Sequence, residues 1–351
     1  MISGNSTLST KARNVRIYKD SVAEFFRTMA NRVRWTRPFV EDQYYVLDGG
    51  LSTQLSKYVQ GVDEDPLWTA RSLVKDEASL VKAHRDFLSK GARIILTNSY
   101  QISTDSFKLH LGSNERETYS HIVNSARLAW KAVKEEGCIP GHVLVGGSVG
   151  PYGACQHDGS EYTGAYLMGD CALSHEELVD WHKNRIEALE EGGVSFIAIE
   201  TMPASREALA AMDCVIQNGM LSAWVSFTLK DGCSLAGGET VEDAVKAVMK
   251  HELTKQGKLL AVGFNCSAPK FITEALTSAR KVAGKVPFVV YPNSGESWSG
   301  TERGWSGEGQ DWFQMVSKWV KLGAIVVGGC CRVGAETLPK IEQHIIQGII
   351  G

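Results

Sequence analysis

The segment Ala324-Ile325-Val326-Val327-Gly328-Gly329-Cys330-Cys331-Arg332 decides how the rest of the chain is read. Its opening run is apolar and rich in β-branched residues, which suits a strand buried on both faces, as in parallel sheets. The run stops on two glycines, which tolerate positive φ and so allow a tight turn. Two cysteines then stand just past the C-terminal end of the strand. An upstream run ends the same way, Leu259-Leu260-Ala261-Val262-Gly263-Phe264-Asn265-Cys266. Three soft sulfur donors at two strand ends can converge on one metal ion and leave its fourth position open.

Working outward, the same strand signal recurs through the chain. Short apolar runs lie at Tyr44–Leu47, Arg93–Thr97, Val143–Gly147, Phe196–Glu200, Ala223–Thr228, Leu259–Phe264, Pro287–Tyr291 and Ile325–Gly328. Helical patterns fill the gaps. Ser174 to Glu177 reads as a capping box. Thr240 to Asp243 reads as a similar start, and Pro203 and Pro269 read as first-turn prolines. After Asp76, the residues Leu80, His84, Phe87 and Leu88 share one helical face, with Gly91 as a stop. Buried strands alternating with amphipathic helices imply a parallel sheet with right-handed crossovers. Eight such units predict a (β/α)8 TIM barrel, with a doubly wound open sheet as the alternative. The chain lacks the strand–GxGxxG–helix turn that an open dinucleotide-binding sheet would show.

The chain has 351 residues, 43% hydrophobic and 22% charged, with a net charge of −3. That composition describes a globular protein with a sizeable core, and nothing in its charge calls for nucleic acid. No apolar run approaches the roughly 20 residues that span a bilayer. Its 8 cysteines are scattered and form no disulfide framework, so the expected setting is reducing and intracellular. Residues 1–40 differ from the rest. They carry Lys11, Arg13, Arg16, Lys19, Arg27, Arg32, Arg34 and Arg37 against only Asp20 and Glu24. This basic stretch reads as a surface extension with a short helix near Asp20 to Val33, the alternative being an organellar leader. The expected division is therefore a basic N-terminal extension, 1–40, and a barrel, 41–351. The expected compartment is the cytoplasm, with the mitochondrion as the alternative that a basic leader would allow.

A barrel of this kind collects its chemistry at the C-terminal ends of the strands. The segments expected there include Asp48-Gly49-Gly50, Thr97-Asn98-Ser99-Tyr100, Ser148-Val149-Gly150-Pro151, Glu200-Thr201, Asn265-Cys266 and Cys330-Cys331. Three thiolates with no histidine suit a zinc ion that takes a fourth thiol and deprotonates it. Adjacent cysteines could instead form a strained disulfide or a redox dithiol. Cys138, Cys171 and Cys214 read as buried, inert small hydrophobes, while Cys155 and Cys233 read as loop residues. Glu200 is the first polar group after a buried run, and a buried carboxylate needs a cation: a substrate ammonium, or a loop Lys or Arg. Asp48 is similar, although Asp-Gly-Gly is also an ordinary turn. None of the 9 histidines has metal-ligand spacing.

Taken together, Leu47-Asp48-Gly49-Gly50, Leu96-Thr97-Asn98-Ser99-Tyr100, Gly147-Ser148-Val149-Gly150-Pro151, Glu200-Thr201, Gly263-Phe264-Asn265-Cys266, Tyr291-Pro292-Asn293-Ser294-Gly295-Glu296 and Gly328-Gly329-Cys330-Cys331 resemble the homocysteine S-methyltransferase family. The resemblance runs from about Tyr44 to the C-terminus. It implies a zinc-dependent barrel enzyme that makes methionine from homocysteine and a methyl donor, with Cys266, Cys330 and Cys331 as zinc ligands. It implies that Asp48 and Glu200 hold the amino-acid part of homocysteine, and it carries Gly49, Thr97, Asn98 and Thr201 over to the substrate pocket. Betaine-dependent members have a long C-terminal segment used in oligomerisation. This chain stops at Gly351, and its Thr97-Asn98-Ser99-Tyr100 and Tyr291-Pro292-Asn293-Ser294-Gly295-Glu296 are closer to members that use S-methylmethionine or S-adenosylmethionine, so the resemblance implies a sulfonium donor and a monomer or loose homodimer. Betaine as donor and selenohomocysteine or selenocysteine as acceptor are the alternatives within that chemistry. A zinc or thiol sensor without turnover is the alternative outside it. Trp298 and Trp305, after the seventh strand, are candidates for a cation–π wall around the donor.

Overall fold

The structure, a computed structural model, describes residue 39 and residues 43–139, 141–219, 221–299 and 304–350. The helix expected near Asp20 to Val33 lies outside the described residues, as do the side chains of Trp298 and Trp305. No helix among the described residues is long and apolar enough to cross a membrane.

All eight expected strands form, each within a residue or two of its sequence reading. They are β1 Tyr45–Val46, β2 Ile94–Leu96, β3 Leu144–Val149, β4 Phe196–Met202, β5 Ala223–Phe227, β6 Leu259–Asn265, β7 Phe288–Tyr291 and, after a small hairpin, β10 Ala324–Val327. The hairpin pairs β8 Ser297–Ser299 with β9 Gly304–Ser306. The large sheet runs β1-β10-β7-β6-β5-β4-β3-β2, parallel throughout. Its two ends meet through a parallel bridge from Leu47 to Ile94 and a bond from Asp48 N–H to the Ile94 carbonyl, 3.0 Å. The sheet is thereby closed into the (β/α)8 barrel, with no free edge to protect.

The strands are almost wholly buried because helices cover them outside and side chains fill them inside. Val327, Val290 and Phe264 lie in register on β10, β7 and β6 with no exposed surface. Each such side chain contributes about 1.5–3 kcal/mol of burial energy. The helix His175–Glu191 starts on the expected capping box, with Ser174 and Glu177 each accepting from the other's backbone. Thr240 caps its helix, and Pro269 opens Pro269–Ala283. Gly91, φ 100°, follows the helix Glu77–Ser89, as expected. Pro203 is a correction. The next helix begins at Ser205, with Ala204 as cap, so the proline ends the strand-to-helix connection and is not in the first turn.

One end of the barrel is aromatic. Phe39 packs against Tyr45, Phe196 and Trp224, with ring centroids 5.3, 6.0 and 6.4 Å away. These partners lie at the starts of β1, β4 and β5. The other end, where the strands finish, is polar.

Candidate active site

Cys266 follows β6 directly, and Cys330 and Cys331 lie just beyond β10. Their sulfurs lie within 4.8 Å of one another. Cys266 Sγ is 3.5 Å from Cys331 Sγ, and Cys330 Sγ is 3.9 Å from Cys331 Sγ. Zinc–sulfur bonds of about 2.3 Å at tetrahedral angles place sulfurs about 3.8 Å apart. The three thiols therefore fit three corners of a zinc tetrahedron. They are too far apart for a disulfide, and all three are free. Hydrogen bonds from the Cys330 and Cys331 thiols hold Cys266 well toward thiolate, while the same sharing of protons pushes Cys330 and Cys331 up. Three thiols this close, one of them held toward thiolate, suit a cation.

Backbone bonds to both flanking strands fix these tips. The Gly328 N–H donates to the Val290 carbonyl at 3.0 Å, the Gly329 N–H to the Asp48 carbonyl at 3.0 Å, and the Cys330 N–H to the Pro292 carbonyl at 2.7 Å. The two glycines serve this closeness and not a positive φ, which neither has. A Cβ on Gly328 would lie 2.6 Å from the Asp48 carbonyl oxygen, and one on Gly329 would lie 2.1 Å from the Val333 side chain. The reading of Gly-Gly as a φ > 0 turn is thus corrected: Gly328 lets the chain after β1 press close, and Gly329 leaves room for the Val333 side chain. Positive φ appears elsewhere in the site, on Thr201 (62°), Cys266 (50°) and Arg332 (65°). Left-handed backbone costs a non-glycine residue about 1–2 kcal/mol, and it collects where function constrains the chain.

Two buried carboxylates stand at the same end. Asp48 is 3% exposed, and its Oδ2 accepts from the Leu96 N–H at 2.8 Å. Burial pushes its carboxyl well up, the Leu96 bond opposes this, and the charge of Glu200 adds to it. Glu200, 6% exposed, accepts from the hydroxyls of Ser148 and Tyr291. Burial nevertheless pushes it up to about 7. No cationic side chain pairs with either acid among the described ion pairs. Two buried carboxyls, both pushed up chiefly by burial and with no protein cation among the described ion pairs, suit a ligand that brings one.

The other expected residues are more occupied by the fold. Thr201 donates its N–H to Asn265 Oδ1 at 2.8 Å and accepts from Asn265 Nδ2 at 2.7 Å. That pair clamps the tip of β4 to the tip of β6. Thr97 Oγ1 lies 2.7 Å from Ser99 Oγ and accepts from the Ser148 N–H at 2.9 Å. Asn98 is bound through both polar atoms to Thr69. A Cβ on Gly49 would meet the Val333 carbonyl oxygen at 2.2 Å, so a packing requirement explains that glycine.

The sequence pattern did not single out the covering segment between β3 and the next helix. It is built from short 3-10 turns, Tyr152–Cys155, Ser160–Tyr162 and Ala165–Leu167. It brings the Tyr162 hydroxyl to 3.4 Å from Cys266 Sγ. The hydroxyls of Ser148 and Tyr291 were quoted within motifs but given no role. Irregular turns have no period, so only the density of Gly and Tyr could have drawn attention to this segment. Among the remaining cysteines, Cys214 is buried as expected, but Cys171 is exposed and Cys138 is half-buried. Cys171 sits in a turn with no apolar face to hide it. Cys155 is buried and donates to the Gln101 carbonyl, and Cys233 donates to Glu274.

Fold and site together define a (β/α)8 barrel with a thiol cluster and a pair of buried acids at the strand tips. Residues 45–345 match the family model for homocysteine S-methyltransferase, and the chain belongs to that family. It is 38% identical to a betaine-homocysteine S-methyltransferase of Drosophila melanogaster, over 85% of this chain and 92% of that one. It is 36% identical to homocysteine S-methyltransferase 3 of Arabidopsis thaliana, over 86% and 89% of the two chains. It is 34% identical to a selenocysteine methyltransferase of Astragalus bisulcatus, over 86% and 93%. Among solved structures, the metallated form of the homocysteine methyltransferase MmuM from Escherichia coli superposes with a TM-score of 0.73 at 31% identity, over 86% of this chain and 96% of that one. The expectation that chain length separates betaine users from sulfonium users is not supported. The betaine-named relative is matched over nearly its whole length.

Proposed function

We propose that the protein transfers a methyl group from a sulfonium donor, S-methylmethionine or S-adenosylmethionine, to the thiol of homocysteine, giving methionine, with zinc held by Cys266, Cys330 and Cys331. The observation that carries this reading is the spacing of the three sulfurs, 3.5 and 3.9 Å along the two measured edges. Zinc bound there would supply the means of keeping the acceptor as a thiolate at neutral pH, through its open fourth position. MmuM, the structural neighbour, was obtained in a metallated form.

The protein's own residues do the rest. Asp48 and Glu200 take the ammonium of homocysteine, which relieves two buried acids that have no protein cation. Ser148 and Tyr291 hold Glu200 in place for this. The Thr201–Asn265 clamp fixes Glu200 and Cys266 relative to each other, since each is the immediate chain neighbour of one clamp member. The covering segment sets the Tyr162 hydroxyl against the buried Cys266 sulfur. The acceptor sulfur then attacks the methyl carbon in line. The donor's carbon–sulfur bond breaks and its electron pair stays on a neutral thioether, so no general acid is needed. Positioning two substrates in this way replaces a bimolecular encounter.

Selenocysteine or selenohomocysteine as acceptor, and betaine as donor, remain within reach of the same site, because relatives of both names align along the chain. The test offers homocysteine to zinc-loaded protein with S-methylmethionine, S-adenosylmethionine and betaine separately. The expected result is methionine from a sulfonium donor, lost on chelation and restored by zinc. Turnover with betaine alone would replace the donor assignment. Zinc retention without turnover by any donor, on thiol or selenol, would move the protein to a zinc or thiol sensor.

A further inference from the structure

A third buried acid lies near the sulfurs, and neither the pattern at the strand tips nor the chemistry above uses it. Glu161 is 5% exposed. Its carboxylate accepts from its own backbone N–H, but Oε2 has no hydrogen-bond partner among the described residues. The acid is held there by construction. It sits in the turn Ser160–Tyr162, which Gly159 opens at φ 77°. A Cβ on Gly153 would come within 2.6 Å of the Glu161 nitrogen, so this close backbone approach requires glycine. The next residue, Tyr162, reaches Cys266 Sγ at 3.4 Å.

A buried carboxylate oxygen that receives no hydrogen bond carries its full desolvation penalty. Burial accordingly pushes its carboxyl up to about 7. A buried unpaired oxygen beside a ligand site calls for an explanation, and a ligand cation supplies one. Asp48 and Glu200 sit on strand tips and share one substrate cation in the reading above. Glu161 stands on the covering segment, beside the same sulfurs, and is free for a second cation.

The chemistry narrows which cation. Transfer from an onium donor to a thiolate destroys both charges. A carboxylate placed against the onium centre would stabilise the ground state more than the transition state and slow the reaction. A carboxylate placed against a charge that persists costs nothing in the barrier. Amino-acid sulfonium donors carry such a charge, the α-ammonium. Betaine does not.

We infer that Glu161 receives the α-ammonium of an amino-acid methyl donor, and that this contact selects such donors over onium compounds lacking an ammonium. The inference rests on the methyl-transfer reading of the site. Glu161 is then a specificity residue of the donor, as Asp48 and Glu200 are of the acceptor.

The experiment uses the full zinc-loaded chain as wild type, Glu161→Gln and Glu161→Asp. Initial rates are measured with S-methylmethionine and with dimethylsulfonioacetate, a sulfonium without an ammonium, at varied homocysteine. In Glu161→Gln the ratio of kcat/KM for S-methylmethionine over dimethylsulfonioacetate should fall about tenfold or more. The KM for homocysteine should stay within about twofold, and the Tm should not fall, because a strained buried acid has been removed. Glu161→Asp, which keeps the charge but shortens the arm, should recover part of the ratio. An equal loss with both sulfonium compounds would overturn the inference, as would a rise in the KM for homocysteine alone. A lower Tm with unchanged constants would make Glu161 a structural residue and overturn it too. If the wild type turns over no donor, the methyl-transfer reading fails by itself. Calorimetric titration of S-methylmethionine then decides about Glu161: binding weakened in Glu161→Gln upholds the ammonium contact, and equal or absent binding in both proteins rejects it.

Discussion

The two ends of one barrel solve opposite problems with the same strands. Where β1, β4 and β5 begin, Tyr45, Phe196 and Trp224 close around Phe39, and little but apolar and aromatic surface meets. At the opposite end, Asp48 and Glu200 are buried after β1 and on β4, Thr201 is held at positive φ, and the three thiols after β6 and β10 crowd together. The first end lowers the free energy of the fold, and the second raises it. A barrel can carry this imbalance because its backbone ladder is continuous, so strain at the tips is held by bonds farther down. Side-chain changes at the two ends should therefore move stability and activity in different directions.

The largest effect belongs to the sulfur cluster. Cys266→Ser removes one of three thiol donors and should abolish both metal retention and turnover. Metal content after dialysis and single-turnover methyl transfer measure it. Wild-type zinc occupancy in the variant would break the assignment of the ligand set. Next comes the aromatic end. Trp224→Ala empties a fully buried site and should cost about 3–5 kcal/mol. Urea unfolding reads the loss, while the KM for homocysteine of the remaining folded protein should not move. A change in KM larger than the change in stability would mean that the two ends are coupled.

How much of this was legible beforehand follows from where a side chain gets its instructions. Val326, Val327 and their counterparts on β6 and β7 announced themselves, because two-sided burial leaves a continuous apolar run. Cys266, Cys330 and Cys331 were found because they interrupt such runs with sulfur at one level of the barrel. Gly328 and Gly329 were found for the wrong reason: close approach of Leu47 and Asp48 to one and of Val333 to the other is a fact of tertiary packing, and no local pattern encodes it. Tyr162 and Glu161 were not found at all. They sit in aperiodic turns, and only the folded chain brings Tyr162 to Cys266, with Glu161 next to it in the turn. The same holds for Phe39, which lies within the stretch read as a basic extension but packs on the barrel.

A smaller effect should appear at neither end. His84 lies in the helix Glu77–Ser89 with no exposed surface, and neither ring nitrogen has a partner among the described residues. Burial depresses it from 6.5 to about 4. The unfolded chain therefore binds this proton between about pH 6.5 and 4 while the folded chain does not. Stability should fall as the pH drops through that window, by about 3 kcal/mol, and should be flat above it. His84→Leu should remove most of this acid limb. Urea midpoints at pH 4.5 and 7.5 for the two proteins test it, and an unchanged slope in the variant would assign the acid sensitivity elsewhere. Activity at pH 7.5 should be alike in both, which separates a buried titrating group in the frame from those in the site.

The smallest change expected is also the one that sharpens the contrast most. Glu200→Gln keeps the shape and the hydroxyl partners Ser148 and Tyr291 but removes the charge. The KM for homocysteine should rise about tenfold, worth about 1.4 kcal/mol of ammonium binding, with the KM for the donor little altered. Stability should move the other way. Burial holds the Glu200 carboxyl up to about 7, against 4.5 when unperturbed. The folded state thus keeps a proton that the unfolded state has lost. That contribution is present below pH 4.5 and disappears as the pH rises through 7. At pH 8 the wild type carries a buried carboxylate that the glutamine variant does not, so the variant should be the more stable of the two, and its advantage should shrink toward pH 5. A variant that binds homocysteine less well and unfolds later would place Glu200 among groups kept for the ligand at the expense of the fold. If it unfolds earlier at pH 8, the Glu200 hydrogen bonds outweigh its burial, and the polar end of the barrel is a stabilising network after all.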